Sequence, residues 1–215
     1  MPISISTLFF DLDGTLYPQE SGVWDAVGLR INDFIREHTG KTPAEIPAIR
    51  DTYYRQYGTT LAGLQANYSI DPYAYLDYIH DIDITKYITP DPILREMLMS
   101  LPQPKWIFTN ANSSHASRVL QALGIEALFS GIIDIIALDF KNKPTPQAYH
   151  QAMAFAGETL ASRCALIEDT PHNLDPAKQM GFLTGLVSAE NSYAFADYTF
   201  GHIHLLTQTI PELVE

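Results

Sequence analysis

The chain has 215 residues, enough for one large domain or a core domain with a smaller insertion. Hydrophobic residues at 46% and charged residues at 18% are those of a folded globular protein and exclude a disordered one. Thirteen basic against 25 acidic residues give a formal charge of −12. That argues against a nucleic-acid polymer as partner, because a phosphate backbone needs clustered Lys and Arg.

A small phosphate ester stays admissible, since one cation and one lysine can reverse a local field. The single cysteine, Cys164, forbids an intrachain disulfide and reads as a small buried residue in a strand over 163–167. No basic and apolar leader opens the sequence, and no run approaches the roughly 20 apolar residues of a membrane helix. The expectation is a cytoplasmic protein without membrane attachment; the sequence sets no oligomeric state.

In chain order, the run Leu8, Phe9 and Phe10 predicts a strand buried on both faces, ending abruptly in Asp11 and Asp13 with Gly14 and Thr15. Residues from about 18 to 90 carry no strand signal. Trp24, Val27, Ile31, Phe34 and Ile35 recur at helical spacing, with Gly40 as the stop. Thr42-Pro43 predicts the cap and first turn of a second helix through Ile49, Tyr53 and Tyr54. Leu61, Leu64 and Tyr68 mark a third, and Asp71-Pro72 opens a fourth through Tyr75, Leu76 and Ile79.

From Asp91 onward strand and helix alternate. A helix runs through Ile93, Leu94, Met97 and Leu98. Strands are expected over 106–109, 132–136, 165–168 and 182–187. Helices are expected over 113–123, 145–156, 171–180 and 207–213. The alternation calls for a doubly wound parallel sheet of α/β class with right-handed crossovers.

Polar residues collect where these strands end, which is where such a sheet places its ligand crevice. Asp11 and Asp13 can hold a divalent cation, or divide nucleophilic and acid/base work. Thr109 and Asn110 meet a helix N-terminus, whose free N–H groups suit a phosphate. Lys143 stands before Pro144, with Lys141 nearby as a solvated charge. Glu168 and Asp169 end the run CALI. His115 is expected to pack on or cap its own helix, and His202 and His204 to lie on the surface or in packing.

The segments FFDLDGTLYP, FTNAN, KPTP and IEDTPHNL, in this order, resemble the four motifs of the haloacid dehalogenase (HAD) superfamily. The resemblance implies a Rossmann-like HAD core of residues 1–17 and 88–215, with a helical cap, 18–87, inserted after the first strand. Tyr17-Pro18, YGTTLAGL and IDPYAYLDYIHDID are similar to the pyrimidine 5′-nucleotidase branch.

By this resemblance the chain would be a Mg²⁺-dependent phosphomonoesterase that forms an aspartyl-phosphate. Asp11 would be the nucleophile and Asp13 the acid/base, with Thr109 and Lys143 holding the phosphoryl group. Gly14 and Asn110 would add N–H groups. Asp11, Asp13 through its carbonyl, Asp169 and Glu168 would hold the metal, with Asn173 standing where the motif often has a second acid. An acid at position 13 argues against dehalogenase chemistry. Arg55, Tyr57, Thr59, Thr60 and His80 in the cap would read the leaving group of a nucleoside 5′-monophosphate, pyrimidine preferred. A phosphatase or phosphomutase for a sugar phosphate or other small metabolite is the alternative, and a Mg²⁺- and phosphate-binding regulatory module without turnover a further one.

Overall fold

The strand Thr7–Phe10 (β1) lies at the centre of a six-stranded sheet because every one of its side chains is apolar or small enough to be buried on both faces. The computed structural model describes residues 4–189 and 194–214. The other strands are β2 (Lys105–Phe108), β3 (Gly131–Ile133), β4 (Cys164–Glu168), β5 (Leu183–Val187) and β6 (Tyr198–Phe200). Their order is β3-β2-β1-β4-β5-β6, and every pairing is parallel. Strand order reverses at β1, between β2 and β4, which creates the crevice at the carboxyl ends of the strands. Phe10 pairs with Ile107 and with Ile167, so the residues just beyond all three strands arrive side by side.

The helices among the described residues are α1 (Val23–Thr39), α2 (Ile46–Tyr57), α3 (Thr60–Asn67), α4 (Pro72–His80), α5 (Pro92–Ser100), α6 (Ser113–Leu123), α7 (Pro146–Phe155), α8 (Pro171–Met180) and α9 (Leu206–Thr209). Helices α5 to α9 belong with the sheet. The core there is built on Phe9, which meets Phe108 edge-on at 6.2 Å and stacks on Phe182 at 6.0 Å. Tyr149 from α7 packs edge-on against Phe108 at 5.3 Å and donates its hydroxyl to the Asn173 carbonyl of α8. Rings in these geometries add about 0.5–1.5 kcal/mol each beyond the area they bury.

The chain divides into two compact units, one running to Ser21 and resuming at Ile88, the other Gly22–Tyr87. The second consists of α1 to α4. The stripe Val23, Val27, Ile31, Phe34 and Ile35 is buried on α1, and Phe34 meets Tyr75 of α4 edge-on at 5.0 Å. Arg30 lies 4.1 Å over the Tyr78 ring while its Nε donates to the Tyr78 carbonyl. Helices α2 and α3 approach so closely that a Cβ on Gly63 would stand 2.2 Å from the Tyr53 ring.

Four expectations need correction. Helix α2 begins at Ile46, not at Thr42-Pro43: the Thr42 hydroxyl and N–H both donate to the Glu45 carboxylate, closing a turn before the helix. The strand expected over 132–136 stops at Ile133, because the Asp134 carboxylate accepts from Ser113 N–H and Ala137 N–H and bends the backbone away from the sheet. The C-terminal helix is only Leu206–Thr209, ended by Pro211, which has no N–H to continue the ladder. Strand β6 has no counterpart among the expected elements.

Candidate active site

The segment after β1 turns sharply and brings its carboxylates back over the sheet end. Gly14 has φ +90, a left-handed value that side chains disfavour, and a Cβ there would stand 2.3 Å from Asp169 Oδ2. Only glycine lets the first acidic segment pass this close to the one that follows β4. Asp11 N–H donates to the Ile167 carbonyl, so the β1–β4 pairing extends to the site.

Lys143 Nζ is the hub. It donates to Asp11 Oδ1 at 2.7 Å and to Glu168 Oε2 at 2.6 Å, with the lysine side chain 1% exposed. The ammonium also lies 5.0 Å over the Phe108 ring. The lysine is carried not by a strand end, as the sequence suggests, but by an irregular segment ten residues past β3. A reciprocal pair holds that segment in place: Lys143 N–H donates to Asn110 Oδ1 at 2.8 Å, and Asn110 Nδ2 donates back to the Lys143 carbonyl at 3.1 Å. Asn142 Nδ2 donates to the same carbonyl at 2.8 Å. The Asn110 side chain thus fixes the lysine backbone.

Burial sets the electrostatics. It pushes the Asp11 carboxyl up to about 7, with Glu168 adding to the rise and Lys143 opposing it. Glu168 is likewise pushed up to about 7 by burial, against the pull of Lys143. Burial alone would lower Lys143, but the two carboxylates outweigh it and hold the ammonium above its ordinary range. Asp169 is raised by burial and by Asp11, while Gln19 Nε2 donates to its Oδ2 at 2.6 Å.

Asp13 faces a separate set of partners. Its Oδ1 lies 2.7 Å from His115 Nε2 and also accepts the Tyr17 hydroxyl. Thr15 Oγ1 donates to Asp11 Oδ2 at 3.2 Å. Thr109, at the end of β2, accepts from Ala111 N–H through its hydroxyl. His115 neither caps α6 nor merely packs; Asn112 caps that helix, accepting from His115 N–H.

Oxygens from Asp11, Glu168 and Asp169 lie within 4.8 Å of one another. An all-carboxylate donor set suits a hard divalent cation such as Mg²⁺, which takes oxygen ligands and keeps several waters. The residues present therefore fit such an ion, with Glu168 already engaged by Lys143 and by Thr170 N–H. Asn173 lies in the first turn of α8, where its carbonyl accepts the Tyr149 hydroxyl.

In the helical unit, Arg55 pairs with Asp51 at 3.0 Å in the open, and Tyr57 is partly exposed against Tyr53. Thr59 caps α3 by accepting from Ala62 N–H, and Thr60 begins that helix. His80 is buried at the end of α4. His202 and His204 belong to the sheet unit, with His204 Nε2 at 2.7 Å from Asp91 Oδ2. Cys164 is buried in β4, its thiol pushed up to about 12 by burial. No helix among the described residues is long and apolar enough to cross a membrane.

Comparison with known proteins agrees with this architecture. The chain is 32% identical over 187 residues to Phosphate metabolism protein 8 of Saccharomyces cerevisiae, covering 80% of this chain but only 58% of the yeast protein. Among solved structures, the HAD-hydrolase YfnB of Bacillus subtilis, bound to magnesium, superposes with a TM-score of 0.65 at 16% identity, covering 95% of this chain and 98% of YfnB. The L-2-haloacid dehalogenase of Xanthobacter autotrophicus gives 0.62 at 18% identity, with 95% and 97% covered. A HAD phosphatase of Thermococcus onnurineus gives 0.62 at 18% identity over the same shares. At these identities the solved structures establish the fold alone. The model of haloacid dehalogenase-like hydrolases matches residues 5–181, and the chain belongs to that family.

Proposed function

We propose that this hydrolase is a phosphomonoesterase that passes the phosphoryl group through Asp11. The observation that carries the reading is the division of labour between two carboxylates two residues apart. Asp11 is gripped by Lys143 in the acidic cluster, whereas Asp13 is held by His115 and Tyr17. One carboxylate is thereby placed among charges that stabilise an anionic centre, and the other is set apart for proton transfer.

Asp11 attacks phosphorus in line, forming an aspartyl-phosphate as the ester P–O bond breaks. Asp13 gives its proton to the departing oxygen, which leaves as an alcohol. Asp13 then takes a proton from water as that water attacks phosphorus, releasing inorganic phosphate and restoring Asp11. Lys143 holds a phosphoryl oxygen and Asp11 together, and Thr109 with the N–H groups of Gly14 and Asn110 receives the remaining oxygens. Asp11, Asp169 and the Asp13 carbonyl, backed by Glu168, would hold Mg²⁺, which supplies the positive charge that lets one anion approach another.

The substrate we favour is a nucleoside 5′-monophosphate, preferably a pyrimidine one. Arg55, Tyr57, Thr59, Thr60 and His80 of the helical unit are the candidates for reading its leaving group. The yeast relative's name supports phosphate chemistry in general, and a sugar phosphate remains the competing substrate class. Phosphate release with Mg²⁺ from UMP, CMP, dTMP, AMP, GMP and sugar phosphates tests the reading. Preference for UMP and CMP is expected, together with loss of turnover in Asp11→Asn. Turnover of sugar phosphates alone overturns the nucleotide assignment, and activity retained by Asp11→Asn overturns the nucleophile.

A further inference from the structure

We propose that His115 and Tyr17 are positioning residues that clamp the Asp13 carboxylate in one orientation for proton transfer. The proposal rests on Asp13 being the acid/base group of the reading above. Two donors converge on a single oxygen, Oδ1: the Tyr17 hydroxyl from four residues along and His115 Nε2 at 2.7 Å from 102 residues along. An ionised carboxylate only accepts, so both partners are the donors.

Neither donor is loosely placed. The His115 side chain is 1% exposed and sits in the first turn of α6. The start of that helix is fixed twice, by Asn112 accepting from His115 N–H at 3.1 Å and by Asp134 accepting from Ser113 N–H at 2.7 Å. Tyr17 is 4% exposed, and its backbone forms a bridge with Asp13 itself. A proton-transfer group supported in this way loses little freedom on reaching its productive geometry.

Leaving-group dependence separates this role from packing. A p-nitrophenolate departs without help, whereas an alkoxide needs the proton Asp13 delivers. Tyr17→Phe and His115→Leu should lower kcat/KM, which reports the step that expels the leaving group, by about tenfold on the alkyl phosphate that the wild-type enzyme turns over fastest, a part of the 10²–10⁴ that general acid catalysis supplies. The kcat/KM for p-nitrophenyl phosphate should fall by less than about threefold. His115→Gln, which keeps an N–H near the Nε2 position, should recover most of the loss. Equal losses in kcat/KM on both substrates, or none, overturn the clamp; if His115→Leu does not fold, Tyr17→Phe decides alone. Asp11→Asn and Asp13→Asn run beside these variants separate the two levels. If both abolish alkyl-phosphate turnover while the clamp variants show no leaving-group dependence, the clamp is wrong and the aspartyl-phosphate reading stands. Full turnover by either Asn variant removes that reading and the clamp with it.

Discussion

Replacing Lys143 with Met keeps the side-chain volume and removes the cation that contacts both Asp11 and Glu168. The ammonium donates to both carboxylates at 2.7 and 2.6 Å, and all three groups are buried. Removing one member of a buried ion pair costs about 3–5 kcal/mol, because the partners are left as uncompensated charges. With a urea slope of about 2 kcal/mol/M, the unfolding midpoint of the sheet unit should drop by about 1.5–2.5 M. The measurement is urea unfolding at about pH 8 in the presence of a chelator, so that no divalent ion replaces the lysine.

The pH dependence has a defined sign. Asp11 and Glu168 are pushed up to about 7, so between about 4 and 7 the folded state binds more protons than the unfolded state. Stability therefore falls as pH rises through that window. Without the opposing pull of Lys143 both carboxyls go higher still, and the window widens upward. The deficit of the variant should shrink as pH is lowered toward about 5. Equal midpoints for variant and wild type at about pH 8, with parallel pH profiles, would refute the idea that the lysine neutralises this pair.

Asn110→Ala removes both bonds of the reciprocal pair with Lys143 and should lose about 1–3 kcal/mol of stability. It should also lower kcat on the best phosphate ester, since the lysine loses its backbone support; an unaltered kcat by steady-state kinetics would place Lys143 under other control. Asp91 caps α5 through Leu94 N–H and meets His204. Burial raises its carboxyl, but the Leu94 N–H and His204 outweigh this and hold it below the ordinary carboxylate range. Its contribution is thus present above about pH 4 and lost as pH falls through the folded value. Asp91→Ala should cost about 1–2 kcal/mol at neutral pH by urea unfolding, with the difference from wild type vanishing in strong acid.

The alternation of apolar runs and helical periods made the parallel sheet and its central strand legible, because Leu8, Phe9 and Phe10 are buried whatever else the chain does. The acidic ends of β1 and β4 were legible for the same reason: a charge directly after a fully buried run has few other places to go. What the sequence concealed depends on partners far away. Ile135 and Ile136 read as strand, but a single side chain, Asp134, takes two backbone N–H groups and turns the chain. His115 reads as a residue that packs on or caps its own helix until α6 delivers it to Asp13. Asn110 reads only as a donor of its N–H to a phosphate, and nothing in the sequence shows that its side-chain amide holds the Lys143 backbone. Strand β6, three residues only half-covered, carries too little apolar pattern to be seen in advance.

The central position of β1 also orders events during synthesis. Its two neighbours, β2 and β4, end at Phe108 and Glu168. A ribosome adding 5–20 residues per second leaves the Leu-Phe-Phe run unsheltered by β4 for roughly 8–30 s after it is made. Throughout that interval this apolar strand is available to any unpaired strand nearby. Asp11 and Asp13, the charges that end it, then act as gatekeepers against aggregation before they can act on any ligand.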